Sequence, residues 1–120
     1  MKSYKELIVW QKAISLTELI YKTTWNFPKA EIYGLTSQIR RCSVAIPSNI
    51  AEGFHRGHRN EYIQFLRIAY SSGAELETQL LIALRINYLK QEEFEKLNNL
   101  LQEIMKMLNV LIFKLTDSKH

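Results

Sequence analysis

QEEFEKLNNLLQEIMKMLNVLIFKL, residues 91–115, decides the fold. Within it Phe94, Leu97, Leu101, Ile104, Leu108, Leu111 and Leu115 recur at steps of three and four over three heptads. That spacing places them on one face of a helix. Glu92, Glu93 and Glu95 fall in its first turns, where negative charge complements the helix dipole. A stripe of this length needs partner helices to cover it.

Such partners precede it. Residues 60–88 carry Tyr62, Leu66, Ala69, Gly73, Leu76, Leu80 and Ala83 on one face, with a second line through Phe65, Ile68 and Leu84. The run Leu80–Leu84 is apolar all round the helix. Residues 32–54 place Leu35, Ile39, Cys42, Ile46, Ile50 and Phe54 on a stripe that contains Pro47, and an interior proline predicts a kink. Gly53 and Gly57 mark the expected end of this helix. Residues 5–26 offer Leu7, Trp10, Ile14, Thr17, Tyr21 and Trp25 as their apolar face, and Asn26-Phe27-Pro28 stops them. The tail Thr116–His120 is polar and expected to fray.

Helices near 5–26, 32–54, 60–88 and 91–115 would each span roughly 35 Å. The joints between them are short, so neighbours should be antiparallel. The reading is all-α: one domain over residues 1–120, an up-down-up-down four-helix bundle with a proline-kinked second helix. Composition agrees, with 47% hydrophobic and 23% charged residues among 120. Four Gly and two Pro cannot supply the turns of a β-sandwich. No apolar run is long enough for a membrane span. The opening residues show no signal-peptide core, and the expectation is a cytoplasmic protein.

Catalytic signals are absent. The spacing Glu52-x-x-His55-x-x-His58-x-x-Glu61 resembles a di-iron half-motif, but His120 is the only further histidine and the ligand count falls short. Cys42, the single cysteine, lies on an apolar stripe and reads as a small core residue. Hydrolase elbow, Walker loop and dinucleotide fingerprint are all missing. The chain reads as a non-enzyme that needs no metal and no cofactor.

The net charge of +4 is modest, yet all six arginines lie between residues 40 and 85. From Arg40 to Arg59 the balance is four arginines against one glutamate, or +3. Arg40, Arg41, Arg56 and Arg59, with Phe54 and His55 for stacking, are candidate contacts for RNA or DNA on a glycine-loosened turn. In the competing reading, Glu75 and Glu77 pair with Arg40 and Arg41 between helices or subunits, and the protein is an interaction scaffold. Trp10, Trp25, Tyr21, Tyr33, Tyr62 and Tyr70 exceed what a narrow core holds, which predicts a homo-oligomer.

Three stretches carry a family resemblance: YKELIVWQKA (4–13), GLTSQIRRCSVAIPSNIAEG (34–53), and FLRIA (65–69) followed by ELETQL (75–80). Together they resemble the four-helix-bundle proteins encoded in 23S rRNA intervening sequences. The resemblance implies a protomer of a ring-like homopentamer. Relatives include the accessory variability determinant of diversity-generating retroelements, a basic pentamer that binds nucleic acid and a reverse transcriptase. A reverse transcriptase is therefore an implied partner wherever the gene is retroelement-associated. The chain departs from the family pattern at His58, where a small capping residue is usual, and at Tyr70–Gly73, where the glycine is shifted.

Overall fold

A computed structural model describes residues 2–117. It consists of four helices, α1 (Ile8–Thr24), α2 (Leu35–Arg56), α3 (Arg59–Arg85) and α4 (Gln91–Asp117), with short 3-10 turns at Tyr4–Glu6 and Lys29–Glu31. Among the described residues there is no strand, and no helix is long and apolar enough to cross a membrane.

Helix α1 starts later than its periodicity suggests, because Ser3 caps a separate turn. Its hydroxyl accepts the Lys5 N–H and the Glu6 carboxylate accepts the Ser3 N–H. Leu7 is then extended before α1 begins. The buried face of α1 is Val9, Ala13, Leu16, Ile20 and Thr24, one position away from the expected stripe. Both stripes share the same three-four period and differ by one helical step of about 100°. The slender molecule, 50 × 21 × 20 Å, takes the small and branched residues inward. Trp25 and Tyr21 are left at the surface.

Helix α2 passes through Pro47 and Gly53 and stops only at Gly57, whose φ of 76° is the left-handed conformation that glycine adopts freely. Gly53 is thus buried inside the helix rather than at its end. A Cβ there would lie 2.7 Å from the Phe65 Cβ, so the missing side chain lets α2 and α3 approach closely. Pro47 lacks an N–H, and the Ser43 carbonyl that it would have served accepts the Thr17 hydroxyl at 3.0 Å.

On α3 the expected face is the observed one: Leu66, Ala69, Gly73, Leu76, Leu80 and Ala83 are buried. The helix ends at Arg85. Asn87 turns at φ 67°, and the N–H groups of Tyr88 and Leu89 both reach the Ala83 carbonyl. Helix α4 buries Leu97, Leu101, Ile104, Met105 and Leu108. Thr116 and Asp117 are helical rather than frayed, Thr116 donating to the Ile112 carbonyl at 2.9 Å. Residues 118–120 lie outside the described range.

Contacts join α1 to α2, α2 to α3, α3 to α4 and α4 back to α1. Their pairings run in opposite senses. Thr24 meets Arg40 while Thr17 meets Ser43; Gly53 meets Phe65 while Cys42 meets Glu75. Twelve Leu and Ile side chains are fully buried between the four helices. Each contributes about 1.5–3 kcal/mol through removal from water.

Candidate nucleic-acid interface

The candidate arginines do not form one patch. Arg40 and Arg56 are sixteen residues apart on α2, about 24 Å along its axis. They belong to opposite ends of the molecule.

At the α2–α3 tip, Arg56 lies 3.4 Å from a Glu52 carboxylate oxygen and 3.6 Å from one of Glu61. Its guanidinium also sits over the Phe65 ring at 5.1 Å. Phe54 is half-buried and packs edge-on against Tyr62 at 5.9 Å, so its ring belongs to the α2–α3 contact. His55 and Arg56 stand on the last turn of a regular helix, not on a loosened loop. Between residues 52 and 61 two arginines face two glutamates, so the formal charge is zero with His neutral. The +3 stretch from Arg40 to Arg59 leaves out Glu61, which the fold turns back onto Arg56. His55, His58 and Arg59 are exposed here.

The α1–α2 end differs. Arg40 Nε donates to Thr24 Oγ1 at 2.9 Å, and its guanidinium carbon lies 4.6 Å from the centroid of the Tyr21 ring. Thr24 in turn donates to the Ile20 carbonyl. Arg40 is thereby held in one place, with its two terminal nitrogens left over. Beside it Trp25 is 81% exposed, and Lys22, Lys29 and Arg41 are also exposed. Tyr33, in the loop before α2, is 95% exposed. Between residues 22 and 41 four cations stand against one carboxylate, Glu31, while Tyr88 ties the α3–α4 joint to the same end and α4 opens there with Glu92 and Glu93. Glu31 is already engaged: it accepts the Leu35 N–H at 3.1 Å and the Tyr88 hydroxyl at 2.9 Å. Those two bonds, the backbone one foremost, hold its carboxyl below the usual carboxylate range.

Sequence reasoning missed Lys22, Trp25 and Lys29. Tyr21, Lys22, Trp25 and Lys29 alternate aromatic and basic along the sequence, but the three-four spacing of α1 also places Trp25 on the core face.

Glu75 and Glu77 have other neighbours within the chain. A Glu75 oxygen lies 3.9 Å from the Cys42 sulfur, and Glu77 accepts from Gln102. Among the described residues no ion pair links either glutamate to Arg40 or Arg41. Cys42 is a buried free thiol, and burial is the main cause that raises its pKa. It is a poor nucleophile in that setting. No metal-binding cluster occurs among the described residues; His120 lies outside them.

These elements define a class, a basic all-α four-helix bundle with an exposed aromatic–cationic end. The chain belongs to the family of 23S rRNA-intervening sequence proteins, whose profile matches residues 5–110. It is similar to a crystal structure of a protein of unknown function, from the S23 ribosomal protein family of Bacteroides thetaiotaomicron VPI-5482. The TM-score is 0.80 at 26% identity, over 88% of this chain and 95% of that one. No curated protein matches the sequence.

Proposed function

We propose that this protein is a non-enzymatic, oligomeric accessory factor that binds nucleic acid through the α1–α2 end. The observation that carries the reading is Trp25, exposed beside an Arg40 already fixed by Thr24 and Tyr21, with Lys22 and Lys29 close in sequence. Single-stranded nucleic acid is bound by this combination: cations follow the phosphates and an aromatic face stacks on a base, whatever its identity. Arg41 adds charge at the same end; Arg59 and His55 at the far tip would add only a second, weaker contact.

The test is a salt titration. Affinity for a single strand should fall steeply with salt, and Lys22→Ala should reduce the slope of log K against log salt by about one. Binding that is undetectable at low salt refutes the reading.

A scaffold reading has its own support. Leu81, Ile82 and Ile86 stand exposed along the end of α3, and Ile8, Val110 and Phe113 along α1 and α4. Surfaces of this kind suit contact with further copies of the chain or other proteins. Light scattering across a micromolar series tests self-association; a monomer throughout refutes it.

A further inference from the structure

Beneath Trp25 lies a cavity of about 520 Å³ that a surface contact with a strand does not require. Its walls include Trp25, Phe27, Pro28 and Ile32, its rim carries Lys29, and Arg40 and Thr36 line it from α2. Thr36 is 2% exposed, and its hydroxyl oxygen has no hydrogen-bond partner among the described residues. A buried hydroxyl left unpaired is costly and uncommon. Thr36 and Arg40 are four apart on one helix, so they point to the same side, one turn from each other. The Arg40 Nε is used by Thr24, which leaves the terminal nitrogens of the same guanidinium for a ligand.

We propose that this cavity is a binding site for a single nucleotide unit, with the ring against Trp25 and the phosphate shared by Arg40, Lys29 and the Thr36 hydroxyl, which a turn of the Thr36 side chain brings from its buried position to the cavity. The inference rests on the nucleic-acid reading for its choice of ligand, but the site stands on its own geometry. An aromatic wall selects a flat ring. A fixed guanidinium and a nearby ammonium select an oxyanion, and a doubly charged phosphate uses both cations better than a carboxylate does. Its volume falls in the range of small-molecule pockets.

The test is calorimetric titration of the full chain with adenosine 5′-monophosphate, and separately with adenosine, inorganic phosphate and N-acetylphenylalanine. The monophosphate should bind best, adenosine and phosphate alone each more weakly. Thr36→Val should weaken it by about tenfold, the loss of one hydrogen bond to a charged group. The same substitution removes an unpaired buried hydroxyl, so thermal stability should hold or rise; a purely structural Thr36 would leave nucleotide affinity unchanged. Trp25→Ala, at an exposed position, should weaken binding without loss of fold. The proposal is overturned by no saturable binding at millimolar monophosphate, by equal affinity in Thr36→Val, or by tighter binding of N-acetylphenylalanine. An oligonucleotide bound while the monophosphate is not leaves the surface reading standing and removes the pocket. The monophosphate bound while oligonucleotides are not does the reverse.

Discussion

The Thr17 hydroxyl lies 3.0 Å from the Ser43 carbonyl oxygen, the acceptor that Pro47 cannot serve from within its own helix. The same hydroxyl is 3.0 Å from the Ala13 carbonyl, so its single proton is shared between acceptors on α1 and α2. Thr17→Val should lower stability by about 1 kcal/mol, the usual net worth of one such bond. In a Pro47→Ala background the restored N–H can reach the Ser43 carbonyl, and the cost of Thr17→Val should shrink. A double-mutant cycle from denaturant midpoints measures this coupling. Additive effects would show that Thr17 does not compensate for the proline.

Gly53 and Gly73 should respond differently to alanine. At Gly53 the new Cβ meets the Phe65 Cβ at 2.7 Å, an atom fixed to the backbone of α3. The helices must separate, at a cost of about 1–3 kcal/mol. At Gly73 the obstacle is the Met105 side chain, which has other rotamers. Alanine also gains up to about 1 kcal/mol of helix propensity there. Thermal melts of the two variants should show a large loss for Gly53→Ala and a small change for Gly73→Ala.

Glu31 gives the α1–α2 end an acid dependence. Its carboxylate accepts from the Leu35 N–H and from the Tyr88 hydroxyl, and both bonds depress its pKa. The stabilisation is therefore fully present above the unfolded carboxyl value of about 4.3 and is lost as pH falls through the lower folded value. Melting temperatures followed downward from about pH 5 should fall more steeply in the wild type than in Glu31→Gln. Parallel curves would show that Glu31 contributes nothing specific.

Much of this architecture was written in periodicity. Of the α3 and α4 stripes predicted from Tyr62 to Ala83 and from Phe94 to Leu115, the stretches Leu66 to Ala83 and Leu97 to Leu108 are buried, while Tyr62, Phe94, Leu111 and Leu115 at their ends are partly buried. On α1 two such faces exist one step apart, and only the width of the assembled bundle selects Ala13 and Leu16 over Trp10 and Tyr21. The candidate site was less legible for a related reason. A count along the chain groups Arg40 with Arg56, but a long helix carries them to opposite ends and delivers Glu61 to Arg56. Trp25 fits both the apolar face of α1 and the aromatic surplus, and spacing alone does not show that it stands exposed.

The most direct test of the account compares those two ends. Fluorescence anisotropy of a labelled single strand at low salt should show binding by the wild-type protein and by Arg59→Glu, at the tip. Lys22→Glu/Lys29→Glu, two exposed reversals at the α1–α2 end, should weaken it by at least about tenfold, since each removed phosphate contact lowers affinity at low salt. Binding lost in Arg59→Glu and retained in the double reversal, or absent from the wild type, would contradict the account.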